Sequence, residues 1–113
     1  MDPIDRIDRI QQAILAFRDE RDWAQYHSPK DLAMSISVES AELLELFLWQ
    51  RDAQAVDPQR LREELADVFY GAFLLAADLG LDVEQIVMDK LAQNARKYPV
   101  DVARGSNRKY DAS

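Results

Sequence analysis

The chain has 113 residues, a formal net charge of −7 and no cysteine. That length suits one domain, spanning residues 1–113, and leaves no room for a second core. The acidic balance argues against non-specific binding to nucleic acid or an anionic membrane, and the lack of cysteine removes disulfides and thiolate chemistry.

The first residues, Met1-Asp-Pro-Ile-Asp-Arg6, lack the apolar core of a signal peptide, and no run approaches membrane-spanning length. A soluble, cytoplasmic protein is therefore expected. Asp2-Pro3 reads as a helix start, and Ile4, Ile7, Ile10, Ile14 and Phe17 recur at helical spacing, predicting a first helix to about Arg21. Trp23, Tyr26 and His27 fall in a loop or frayed end, where Trp23 either packs over the core or stacks on a base. A lone histidine such as His27 is more often a capping or hydrogen-bonded residue than a catalyst.

Ser28-Pro29-Lys30-Asp31 repeats the start signal, and Leu32, Ile36, Leu43, Leu44 and Phe47 carry a second helix to about Trp49. Asp57-Pro58 opens a third helix, which ends at Gly80, and Asp82 caps a fourth beginning at Val83. Pro99 stops the fourth, and residues 100–113 read as an irregular basic tail. These are four helices in an all-α chain. A domain this small buries a modest fraction of its surface alone, so wide apolar helix faces point to oligomerisation.

The second and third helices carry Glu39-x-x-Glu42 and Glu64-x-x-Asp67. Three residues is just under one turn, so each pair projects side by side from one face. With Leu32 at zero, Glu39 falls at about 340°, inside the apolar stripe; with Leu61 at zero, Glu64 and Asp67 fall at about 300° and 240°, flanking it. Glu-rich helices are usually just solvated. A short loop nevertheless makes the two helices antiparallel neighbours, which brings the acidic pairs opposite each other. Four carboxylates aimed at one place repel unless a cation sits among them. The single histidine excludes the Glu-x-x-His pairs of di-iron bundles. Oxygen-only ligands favour Mg2+, with Mn2+ as a substitute. No histidine stands at helical spacing from Ser35, Ser37 or Ser40, which argues against covalent serine catalysis.

On the fourth helix Val83, Val87, Lys90, Asn94 and Lys97 share one side. The lysines either snorkel from that stripe or hold phosphate oxygens. The tail, with Arg104-Gly-Ser-Asn-Arg108-Lys109-Tyr110, places cations where a polyphosphate is clasped if the segment is ordered.

With these motifs in this order, the sequence resembles the MazG-like branch of the all-α nucleoside triphosphate pyrophosphatases, and most closely the small dCTP pyrophosphatases. The shared pattern is E-x-x-E, a spacer of roughly twenty residues, then E-x-x-D. It is joined by Arg21-Asp22-Trp23, His27-Ser-Pro-Lys30, Phe47-Leu-Trp49, Lys90 to Pro99, Arg104-Gly-Ser and Lys109-Tyr110, so it spans nearly the whole chain. The resemblance implies magnesium-dependent hydrolysis of a nucleoside triphosphate, dCTP or a modified dCTP above all, to monophosphate and pyrophosphate. It implies a homotetramer built as a dimer of dimers. Glu39, Glu42, Glu64 and Asp67 would hold the metal and form the catalytic cluster, Trp23 and Trp49 would flank the base, and Lys90 and Asn94 would contact phosphate or sugar. His27, Lys97, Lys109 and Tyr110 are the further substrate contacts carried over. In the dCTP-preferring relatives a histidine usually stands where this chain has Ile14, and a tyrosine where it has Gly71. Both changes lie near where base or sugar would be read, so the resemblance carries the chemistry further than the cytosine preference. A helical oligomerisation or nucleotide-sensing module that keeps the acids and turns nothing over is the alternative reading.

Overall fold

A computed structural model describes residues 5–50 and 55–111, and every described element is helical. The chain falls into two compact units, Met1–Leu81 and Asp82–Ser113, each taken by itself below.

In the first unit, helix α1 spans Arg6–Glu20 and is capped by Asp5, whose side chain accepts from the Ile7 amide at 2.8 Å. The Asp2-Pro3 start signal lies outside the described residues, and the cap that opens the helix is Asp5. Asp22 follows in the left-handed region (φ 53°, ψ 37°) and leads into a 3-10 turn, Trp23–Tyr26. Helix α2 spans Pro29–Glu45 behind a complete capping box, in which the Asp31 amide donates to Ser28 Oγ and the Ser28 amide donates to Asp31. The Ser28 hydroxyl, donating to Asp31 Oδ2 at 2.9 Å, and then the Ser28 amide lower the Asp31 pKa.

α2 ends one turn before the expected limit at Trp49. The amides of Leu46, Phe47 and Leu48 donate to Leu43, Leu44 and Glu45, three residues back instead of four, so the ladder tightens into turns. Helix α3, Pro58–Asp78, begins at the Asp57 cap and closes at Gly80, which takes a left-handed φ of 68°.

α2 packs most extensively on α3, and α1 packs on α3 as well. Leu74 of α3 is fully buried, joined in the core by Leu32, Val56 and Ala76. Gln11 Nε2 donates to the Phe73 carbonyl at 3.2 Å, and Arg18 bridges to Asp78 at 3.0 Å, tying α1 to α3 at two heights. The second unit contains helix α4, Val83–Lys97, capped by Asp82. It also contains the short helix α5, Val100–Ala103, within what the sequence predicts to be an irregular tail. Pro99 stops α4 but also sits at the N-cap of α5, so one residue ends one helix and starts the next.

Candidate metal centre and apolar groove

Ligand oxygens of Glu39, Glu64 and Asp67 all lie within 4.8 Å of one another. The antiparallel register that places them together also sets Ile36 against Gly71, one turn along. Glu39 and Glu64 are half-buried and Asp67 is exposed, in keeping with acids on and beside the apolar stripes. Glu42 lies outside this triad but close enough to act on both neighbours. Burial, followed by Glu42 and the other acids, raises the pKa of Glu39. Burial and then Glu42 do the same for Glu64, with Arg60 opposing weakly.

One oxygen of each, Glu39 Oε2 and Glu64 Oε2, is buried with no hydrogen-bond partner. Among the described residues no ion pair engages any of the four acids. Buried acceptors of this kind cost free energy unless matched. An all-oxygen donor set with orphaned, mutually repelling carboxylates fits a hard divalent cation such as Mg2+.

Asp67 also lines an open apolar groove between α1 and α3. The groove comprises two contiguous spaces of about 610 and 500 Å3 that share Ile10, Ile14, Asp67 and Tyr70. Phe69 and Phe73, stacked with centroids 5.8 Å apart, flank one space; Phe17 and Trp23, edge to face at 5.7 Å, flank the other. Tyr70 completes an aromatic run against Phe17 at 6.2 Å, and burial raises its pKa. Ile14, at the position where the resemblance leads one to expect histidine, joins Ile10, Ala13 and Phe17 in an α1 side of the groove that is wholly apolar.

The fold builds the Trp23 end of the groove locally. Left-handed Asp22 reverses the chain after α1, and Gln25 Nε2 locks it by donating to the Asp22 carbonyl at 3.1 Å and to Oδ2 at 2.9 Å. Arg21 lays its guanidinium 3.7 Å over the Phe17 ring and donates to the Phe17 carbonyl. The sequence carries Asp22 as a motif match but shows nothing of its backbone, because aspartate is one of several residues that tolerate this region. Sequence reading passed over Tyr70, although its place three residues after Asp67 puts it on the same face.

Two expected contacts lie elsewhere in the first unit. His27 is half-buried beside the α2 cap, its Nδ1 without a partner, and it does not line the groove. Trp49, carried past the end of α2 by the tightened turns, is 90% exposed and lines neither space.

In the second unit Lys90 Nζ donates to Gln93 at 2.9 Å, and Asn94 is half-buried. Lys97 Nζ stands 4.9 Å over the Tyr110 ring, which meets Tyr98 edge on at 6.0 Å. These contacts fold the tail back on the end of α4. They close a pocket of about 270 Å3 lined by Lys97, Tyr98, Ser106, Arg108, Lys109 and Tyr110, among others, and by no acid. Sequence reading named Lys97, Lys109 and Tyr110 as contacts and placed Ser106 and Arg108 in the clasping tail, but carried Tyr98 only as part of a motif match.

Residues 34–112 match the model of the MazG-like family. Rat dCTP pyrophosphatase 1 is 38% identical over 115 residues, covering 96% of this chain and 68% of that protein. The human protein of the same name is 37% identical with the same coverage. The crystal structure of a pyrophosphatase from Archaeoglobus fulgidus superposes with a TM-score of 0.80 at 34% identity, covering 88% of this chain and 97% of that one.

Proposed function

Because this chain belongs to the MazG-like family, close to the dCTP pyrophosphatases, we infer that its nucleoside triphosphate pyrophosphatase activity requires Mg2+ and acts on dCTP or a modified dCTP. The products are the monophosphate and pyrophosphate, and the role is cleaning of the nucleotide pool. One observation carries this reading: the Asp67 carboxylate belongs both to the acidic cluster and to the wall of the apolar groove. A base held in the groove therefore sets its phosphates toward the acids.

Glu39, Glu64 and Asp67, with Glu42 beside them, would hold the ion. Bound there, Mg2+ neutralises phosphate charge and makes attack of water on the α-phosphorus easier. A carboxylate of the cluster accepts the proton of the attacking water. Trp23 offers a stacking face at the end of the groove, and Trp49, as an exposed aromatic, is the second base contact in this reading. Lys90, Asn94, Lys97, Lys109 and Tyr110 contact the phosphates or sugar, and the acid-free cationic lining of the tail pocket supports this for Lys97, Lys109 and Tyr110. His27, which lines neither space of the groove, is a further substrate contact in this reading.

The reading takes the whole chain as one catalytic domain in a cytoplasmic homotetramer, a dimer of dimers. Exposed Val38, Leu44, Phe69 and Leu91 supply apolar surface for such contacts. Among the described residues no helix is long and apolar enough to cross a membrane.

Pyrophosphate release from dCTP and a panel of other nucleoside triphosphates, with and without Mg2+, tests the proposal. Magnesium-dependent release with dCTP or a modified dCTP preferred is expected. Absence of release across the panel would leave a nucleotide-sensing or oligomerisation module.

A further inference from the structure

Gly71 of α3 stands directly against Ile36 of α2. It is buried, and a β-carbon built on it would meet Ile36 Cγ1 at 2.9 Å, closer than real side chains come. The backbone does not call for glycine there, because the left-handed glycines of the chain are Gly80 and Gly105 and Gly71 sits inside a regular helix. Glycine in a helix interior is unfavourable relative to alanine. What it contributes at this position is the missing side chain.

The register gives that absence a consequence. Ile36 lies three residues before Glu39 on α2, and Gly71 lies four residues after Asp67 on α3, so the contact is one turn from the carboxylates on both helices. A change in helix separation at residues 36 and 71 acts on carboxylates only one turn away on the same two helices. Ordinary contact begins near 3.4 Å, so an added methyl requires a give of about half an ångström. Magnesium is held at 2.0–2.1 Å in near-ideal octahedral geometry, and calcium at longer, looser distances. A shift of that size is therefore felt by magnesium far more than by calcium.

We propose that Gly71 and Ile36 together are the spacer that sets the separation of the carboxylate cluster, making Gly71 a positioning residue for magnesium. The inference rests on the reading of the cluster as a metal centre. It adds that the selectivity of that centre is governed from a packing contact outside it.

Binding of Mg2+ and Ca2+ to metal-free protein, followed by calorimetry, tests this without any turnover. Gly71→Ala should weaken Mg2+ binding about tenfold and Ca2+ binding less, the range seen when groups supporting metal ligands are changed. Removing the opposing atom in Gly71→Ala/Ile36→Ala should restore Mg2+ binding to within about threefold of the starting protein, even where its melting temperature stays lower. A merely structural role would make affinity follow stability and leave the double variant worst of all. Unchanged Mg2+ affinity in Gly71→Ala, or no recovery in the double variant, overturns the spacer. If Gly71→Ala does not fold, the double variant alone decides, by binding Mg2+ or failing to. Failure of the unaltered protein to bind Mg2+ would instead remove the metal centre itself, and the spacer with it.

Discussion

Replacing Asp22 with valine should raise KM for the nucleotide without lowering kcat, because the residue shapes the groove wall and stands apart from the acids. Asp22 holds a left-handed conformation at φ 53°. That region costs a residue with a β-carbon about 1–2 kcal/mol and is a genuine outlier for a branched one. Aspartate offsets part of this through the bond from Gln25 Nε2 to its Oδ2 at 2.9 Å, worth about 0.5 kcal/mol at an exposed site. Valine loses that bond and adds roughly 1.5 kcal/mol of strain, a sum of about 2 kcal/mol. If the turn relaxes locally, that sum appears as displacement of Trp23 from its place against Phe17, and KM rises by up to about thirtyfold at tenfold per 1.4 kcal/mol. Asp22→Asn keeps an acceptor and the tolerance for this backbone, so it should stay within about threefold of the parent. Asp22→Gly trades strain for the lost bond and should also stay close. Steady-state hydrolysis of dCTP, with near-ultraviolet circular dichroism reporting on Trp23, is the assay. An unchanged KM in the valine variant, or asparagine and glycine variants as impaired as valine, would refute the reasoning.

Glu39→Gln and Asp67→Asn should each abolish turnover, and Mg2+ should raise the melting temperature of the parent but not of Glu39→Gln, as scanning calorimetry would show. The Glu39 and Glu64 carboxyls titrate above their unfolded values, so the folded state binds their protons more tightly. Their contribution is unfavourable above the folded pKa values and vanishes as pH falls through the carboxylate range. Without metal, Glu39→Gln should thus melt above the parent at neutral pH, and the gap should close on acidification; a gap that widens on acidification would contradict the sign. Leu74→Ala, at a fully buried position, should cost about 2–5 kcal/mol, or roughly 10–20 °C in melting temperature.

The helix starts at Pro29, Pro58 and Val83 were legible because Ser28, Asp57 and Asp82 carry out their capping locally, with partners two or three residues away. The acidic pairs were legible for the same reason, as spacing on one helix. Long-range packing was not. The groove exists because α1 lies on α3, and its volume depends on side chains more than fifty residues apart, such as Ile14 and Tyr70. The early end of α2 had no glycine or proline to announce it, and Trp49 consequently stands farther from regular structure than its spacing suggested. Gly71 reads as a departure from the dCTP-type pattern in sequence and becomes intelligible only when Ile36 is seen opposite it.

The all-carboxylate makeup of the cluster has a redox consequence. No cysteine is present to be driven up the oxidation ladder, and carboxylates are inert to peroxide. Outside residue 1, the sulfur atoms belong to Met34 and Met88, both exposed, and neither lines the groove nor joins the acids. Sulfoxide formation at those two surface positions leaves the carboxylate cluster chemically intact. A pyrophosphatase built this way keeps its carboxylate cluster under peroxide stress.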